Sequence, residues 1–440
     1  MNAPHDFRFK RNTMLKRTIS LSLLITASTV WSNSAIFLHP DGTGLGHWNA
    51  ARLLIAGPDG MTNWDNLEVL SAYRPHQKNW LTSTSHAGAT AHAYGKKVHY
   101  DSFGMDRDQP LTSLSGQSMT ILQEAMSKGL RTGTVNSGHI AEPGTAVFAT
   151  SNESRKNTLE IAQSVMESGL DLMFSGGETF LLPEGEIGFF GEPGLRTDGR
   201  NLIEEAKSNG YKVIFTREEL LLLPDNTDKV IGIFAPGHTF NDNIEEEVQQ
   251  KGIPLYRTDA PTIAEMTAAA LRILGSDPET DFFVVIEEEG TDNFSNKTNA
   301  AGMLEATIRA DEAIGVASKF LESHPERPTL LLVAADSDAG HPTVFAPRNT
   351  PITTDLPSQD PIGSPIDGTN GSGGTPFVSL PDQFGNRYPF GIAWATAYDM
   401  PGSVVAKASG YGSDRIGSTM DNTGPYKVIY SVLFEEEDQN

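Results

Sequence analysis

Cysteine is absent from this sequence. No disulfide can brace the fold, and no thiolate can hold a metal, so any bound ion must be held by oxygen or histidine. Basic residues are in deficit: 33 Lys and Arg stand against 56 Asp and Glu, a formal net charge of −23. That balance excludes a general nucleic-acid or membrane-surface binder and leaves acidic side chains to attract cations. Internal repeats are lacking too. The most continuous apolar stretch near the N-terminus, residues 19–30, is broken by Ser and Thr and is short for a membrane span. It follows Lys10, Arg11, Lys16 and Arg17, and Ala27, Ser28, Ser34 and Ala35 offer cleavage points. This is the order of an export signal. Residues 1–34 are therefore read as a signal peptide and N-terminal segment, with Met14 as an alternative start. The mature protein is expected to be periplasmic or extracellular, with no membrane span after cleavage.

The whole chain, 440 residues with 38% hydrophobic content, is enough for one large domain with insertions or two smaller ones. Apolar runs at 35–38, 131–136, 170–174, 211–215, 230–234, 282–286 and 329–333 read as strands. Helical spacing recurs at 116–129, 157–167, 202–208, 262–274 and 300–321. This alternation predicts an α/β fold, a large central mostly parallel sheet sandwiched by helices. Residues 79–82 read as strand and loop, 138–145 as a loop, 391–394 and 404–408 as further strands, and 426–434 as a closing helix. Residues 342–390, rich in Pro, Gly, Ser and Thr, read as a surface insertion rather than core. The catalytic domain would span 35–434, with 435–440 an acidic tail.

Several buried-looking strands run into acids: Asp41, the pair Glu287 and Asp292, and Asp336 with Asp338; Glu142 lies in a loop after another. Parallel strands deliver their carboxyl ends to one sheet edge, so these acids should converge. Carboxylates in one crevice repel unless a cation neutralises them, and divalent metals are the natural occupants. Residues 84–91, Thr-Ser-His-Ala-Gly-Ala-Thr-Ala, open a helix of small residues. Ser85 is either its N-cap or a nucleophile placed where free backbone N–H groups favour an anion. Arg155 can fork two phosphate oxygens or be a surface arginine.

Taken together these residues resemble the alkaline phosphatase family over residues 35–434. Asp41-Gly-Thr-Gly is similar to the family's metal turn, and Ser85-His-Ala-Gly-Ala-Thr-Ala, with Gly95 and Gly104-Met-Asp106, to its nucleophile helix and sequel. Glu142-Pro-Gly-Thr with Arg155 thirteen residues on keeps a family spacing. Residues 230–238 and 261–267, and Asp421-Asn-Thr423, are similar to family stretches. The resemblance implies Ser85 as the phosphorylated nucleophile and Arg155 as the phosphate holder. It implies Asp41, Glu142, Glu287, Asp292 and Asp336 as metal residues.

The chain also departs from the family pattern. Thr84 replaces an acid before the serine, Gly144 stands where a hydroxyl ligand often is, Asn296 and Ser337 fall where zinc-binding histidines are expected, and near Val404 the third expected histidine is absent, with Asp399 the nearest candidate. His86 and His341 are near enough in sequence to substitute, though each also reads as a polar loop residue. Oxygen donors favour Mg²⁺, Ca²⁺ or Mn²⁺ over a standard pair of Zn²⁺ ions. The expected function is metal-dependent hydrolysis of small phosphate monoesters through a phosphoserine, by an enzyme that can be a homodimer. The alternatives are a phosphodiesterase or sulfatase of the same superfamily, or a non-catalytic phosphate- and metal-binding homologue.

Overall fold

The computed structural model describes Met1 and residues 33–346 and 354–435. The export-signal reading of 1–34 and the acidic tail therefore fall almost wholly outside the described residues. A central sheet of ten strands organises the rest. In chain order these are β1 (Ser34–Pro40), β2 (Val69–Arg74), β3 (Arg131–His139), β4 (Leu172–Gly176), β5 (Lys212–Ile214), β6 (Val230–Ile233), β7 (Phe282–Glu288), β8 (Thr329–Val333), β9 (Val405–Gly410) and β10 (Thr419–Asp421). Across the sheet the order is β10-β2-β9-β8-β1-β7-β3-β4-β6-β5. Only β9 runs against its neighbours, pairing antiparallel with β8 and β2; the other pairings are parallel. The mostly parallel sheet expected from the sequence is present.

Strand alternation explains how the sheet is covered. Ala35 and Phe37 point to one apolar layer, with Ala89, Ala93, Phe148 and Ile429. Ile36 and Leu38 point to the other, with Met266, Leu271, Ala310 and Ile314. Residues of central strands are buried on both faces, which is why β1, β7 and β8 read as unbroken apolar runs. Seven helices matter below: α1 (Leu45–Ile55), α2 (Ser85–Tyr94), α3 (Pro143–Ala149), α4 (Ile263–Leu274), α5 (Gly290–Asn296), α6 (Ala300–Ser323) and α7 (Gly424–Phe434). Helix α4 shows local encoding well: the Thr262 side chain accepts from the Glu265 backbone N–H, and Glu265 reciprocates. Among the described residues no helix is long and apolar enough to cross a membrane.

Three local expectations are corrected. Residues 79–82 contain no strand, only bends and irregular chain. The region expected as a loop at 138–145 splits between the end of β3 and the start of α3. Pro143 at the first turn suits a helix start, but every residue of α3 is buried, so no amphipathic period betrayed it. The segment 342–390 was expected as surface. Its described part instead builds, with 391–394, a separate antiparallel five-stranded sheet. Ile366, Phe390, Ile392 and Trp394 are buried, and the sheet's apolar side joins Ala50 of α1, Phe294 of α5 and Met303 of α6. Few apolar residues, placed at alternate positions, sufficed where composition suggested solvent.

Trp394 is the largest side chain of that second core, and its indole N–H donates to buried Asp367. Trp394→Ala should cost about 3–5 kcal/mol in urea denaturation, from the lost apolar burial together with the cavity left behind. A loss under about 1 kcal/mol would show that this sheet packs as a peripheral flap.

Candidate active site

Register brings the acids together. On β1, Leu38 lies beside Ile286 of β7 and Val333 of β8, so the residues that follow emerge at one edge. Asp41 immediately follows β1, Glu287 lies at the end of β7, Asp292 is in α5, and Asp336 is three residues beyond β8. All four are buried. Ligand atoms of His39, Asp41 and Glu287 lie within 4.8 Å of one another, as do those of Asp41, Glu289 and Asp292.

Close backbone approach makes this possible. Gly42 has φ +62°, and a Cβ there would lie 2.7 Å from Asp292 Oδ1. A Cβ on Gly88 would lie 2.3 Å from Asp336 Cβ, so α2 packs directly on the Asp336 segment. The small residues of α2 are thus a packing requirement. Thr84, not Ser85, is the N-cap: its side chain accepts from the Ala87 N–H at 3.4 Å, and its hydroxyl donates to the Tyr100 carbonyl at 2.6 Å. Ser85 is the first helical residue, so the competing capping role does not explain it.

The expected histidine substitutes stand as follows. Asn296 Nδ2 lies 3.0 Å from each oxygen of Asp292 and 3.1 Å from Asp399 Oδ1, so Asn296 and Asp399 do join Asp292. Asp399 is held there by a short antiparallel pairing of Asp399–Met400 with Asp338–Ala339. Ser337 is buried, with an unpartnered Oγ. His341 is turned away, its Nδ1 2.7 Å from Asp338 Oδ2. Asp338 also accepts from the Ser403 backbone at 2.8 Å and serves the loop connections. His86 faces Arg155, Nδ1 to Nη1 3.5 Å; burial and the guanidinium lower its pKa to about 3.

Glu142 has company that the sequence did not announce. Its Oε1 lies 2.9 Å from His139 Nε2 and 3.0 Å from His238 Nε2, and Arg155 Nη2 is 3.8 Å from Oε2. The Ala141 N–H donates to His139 Nδ1. Ligand atoms of His139, Glu142 and His238 thus lie within 4.8 Å of one another, a third group able to hold an ion, beside Arg155, whose side chain is 43% exposed. Missed altogether were His39, His139, His238 and Glu289. Lone histidines carry no sequence signal, and three consecutive glutamates hid which two turn toward the cluster. Glu288, buried likewise, points elsewhere, accepting from Ser137 and Tyr256.

Electrostatics identify what the cluster lacks. Burial and then neighbouring acids push Asp41, Glu289 and Asp292 well above the usual carboxylate range. Burial opposes ionisation of Asp336 too, but His39 and Asp41 hold it low. Both oxygens of Asp41, Glu287 Oε1, Glu289 Oε2 and Asp336 Oδ2 are buried with no hydrogen-bond partner. Native interiors rarely leave such atoms unmet, so this donor set fits divalent cations. A cavity of about 990 Å³ opens beside the cluster, lined by Trp80, Leu81, Thr82, Tyr398, Asp399 and Met400. Trp80 and Tyr398 are largely exposed there.

Comparison with known proteins adds the following. Residues 33–358 match the profile of the family described as alkaline phosphatase. The membrane-bound alkaline phosphatase of Bombyx mori is 26% identical over 92% of this chain and 78% of its own length. Alkaline phosphatase of Escherichia coli K12 is 27% identical over 69% of this chain and 70% of its own. Among solved structures, the alkaline phosphatase of the Antarctic bacterium TAB5 superposes with a TM-score of 0.69 at 19% identity, covering 92% of this chain and 99% of that one. That of Thermus thermophilus gives 0.70 at 18%, covering 92% of each. A solved variant of the TAB5 enzyme has Mg bound.

Because the carboxyl pKa values of Asp41, Glu289 and Asp292 are raised in the fold, the protein free of metal binds more protons at these groups than its unfolded chain above pH about 4. Its stability should fall as pH rises through that range. Adding a divalent ion at about 100 times its Kd should raise stability by about 2.7 kcal/mol and reverse the trend. Denaturation at pH 5 and 8, with EDTA and with each ion, measures this. An identical pH slope in both would exclude the acid cluster as the ion's site.

Proposed function

The chain belongs to the alkaline phosphatase family, and from that premise we propose that it hydrolyses small phosphate monoesters through a phosphoserine at Ser85, with divalent ions at the acid cluster. Family membership supports phosphatase hydrolysis in general. The observation that carries the finer reading is the placement of Ser85. It is the first residue of α2, its capping role is taken by Thr84, and its helix is packed on Asp336 at the edge of the unpartnered acids.

Asp41, Glu142, Glu287, Asp292, Asp336, Asp399, Asn296 and Ser337 are the residues proposed to hold ions. Bound there, a divalent ion lowers the pKa of a hydroxyl and offsets phosphate charge. The free N–H groups at the start of α2 favour a phosphate oxygen, and the Arg155 guanidinium can fork two more. Ser85 Oγ loses its proton and bonds to phosphorus as the ester P–O bond breaks; the leaving alkoxide takes up a proton. Water then attacks phosphorus, the Ser85 O–P bond breaks, and inorganic phosphate leaves with Ser85 reprotonated. The cavity beside Asp399 gives the leaving group room, and its Trp80 and Tyr398 rings suit an apolar one. Export rests on the basic and apolar order of residues 1–34 and belongs to the same proposal.

With a chromogenic phosphomonoester and single ions restored after chelation, Ser85→Ala should lower kcat by at least about 10³-fold. Arg155→Ala should weaken inorganic-phosphate inhibition by about 10–100-fold, the worth of a charged hydrogen-bond pair. Acid quenching should trap label on Ser85. Full activity in Ser85→Ala would end this mechanism. No monoester turnover with any ion, but turnover of diesters or sulfate esters, would move the chain to the alternative chemistries.

A further inference from the structure

We propose that His39 is a metal ligand, binding through one ring nitrogen an ion that it shares with Asp41 and Glu287, and that the ion is of the imidazole-preferring class, Zn²⁺ or Co²⁺, rather than Mg²⁺ or Ca²⁺. The inference rests on the metal-dependent reading above and adds a nitrogen donor to a set composed otherwise of oxygens.

Topology fixes the neighbours. His39 and Glu287 are register partners on the adjacent parallel strands β1 and β7. Asp41 follows His39 by two residues. His39 is fully buried, and neither ring nitrogen has a hydrogen-bond partner. Nδ1 lies 3.5 Å from Glu287 Oε1; Nε2 lies 3.6 Å from Asp41 Oδ1 and 3.8 Å from Asp336 Oδ1. These separations are long for hydrogen bonds. They are close to the roughly 3.3–3.6 Å between ligand atoms that share an ion with bonds of about 2.0–2.2 Å at tetrahedral angles. Asp336, on the Nε2 side, also suits the usual arrangement, in which Nδ1 takes the ion and Nε2 is left to donate its N–H to an acid.

A buried imidazolium with no ion does not meet the demand. It offers two N–H groups, whereas both oxygens of Asp41, Glu287 Oε1, Glu289 Oε2 and Asp336 Oδ2 await partners. Gly144 completes the argument. A Cβ there would lie 1.8 Å from Glu287 Oε1 and 2.6 Å from His39 Nδ1. The imidazole and the glutamate occupy the space that a side chain at 144 would need. His39 thus stands where the hydroxyl expected at 144 is missing, and it changes the donor from oxygen to nitrogen, which favours Zn²⁺ and Co²⁺.

The test compares full-length wild type with His39→Gln and His39→Ala, stripped of metal and titrated with Co²⁺ against excess Mg²⁺, reading visible absorption and bound metal. Wild type should bind one more Co²⁺ than either variant, or bind it 10–100-fold more tightly, with bands that the variants lose. Unchanged stoichiometry and spectrum in a folded variant would overturn the proposal. Should both variants misfold, Zn K-edge absorption on the wild type decides: imidazole scattering is expected, and an all-oxygen shell overturns it. Phosphomonoester turnover is followed in the same samples. An active wild type without a nitrogen donor sinks only the role of His39. A nitrogen-ligated ion without turnover sinks only the catalytic reading.

Discussion

Mutual repulsion among buried carboxylates is the constraint on which the rest of this structure depends. Parallel pairing of β8, β1 and β7 fixes Leu38 beside Val333 and Ile286, and the chain beyond each strand delivers Asp336, Asp41 and the Glu287–Asp292 stretch to one place. Once there, the acids can be neither solvated nor fully hydrogen-bonded, as their unpartnered oxygens show. Burial of even one unpaired charge is costly, so cations at this edge belong to the folded state as much as to the chemistry. The backbone concedes space for this crowding: Gly42, Gly88 and Gly144 each sit where a Cβ would strike Asp292, Asp336 or Glu287.

Much of this was legible in the chain. Apolar runs in β1, β7 and β8 that end in acids announced a parallel sheet with a polar edge, because strands buried on both faces must be apolar throughout. The position of Ser85 at a helix start was legible too, although only the coordinates show that Thr84 caps that helix. Other features had no local signature. Helix α3 is buried on every side, so its residues show no 3.6-residue period. The second sheet hides in a Gly- and Pro-rich stretch whose core is a handful of residues, Trp394 foremost. The reversal of β9 depends on packing against β8 and β2, which no residue pattern records. His39, His139 and His238 acquire meaning only from neighbours distant in sequence.

Those histidines change the chemical picture. Asn296, Ser337 and Asp399 give the region around Asp292 and Asp336 oxygen donors. Imidazoles instead gather on either side, His39 beside Glu287 and the His139–His238 pair on Glu142. The Glu142 pair lies within 3.0 Å of the carboxylate next to Arg155, with His139 held through Nδ1 by the Ala141 N–H. His39 has no such fixed role within the protein. Nitrogen has thus moved away from the positions where the family resemblance leads one to expect it, while the acid framework that collects cations is kept.

The most direct measurement is diffraction from crystals grown with Zn²⁺ or Mn²⁺, with anomalous difference maps calculated at the metal edge. Peaks are expected among Asp41, Glu287, Asp292 and Asp336, within coordination distance of Ser85 Oγ for at least one of them. A crevice with no anomalous density, its carboxyls protonated and hydrogen-bonded to one another, would contradict the claim that cations at this edge hold the acids and activate Ser85.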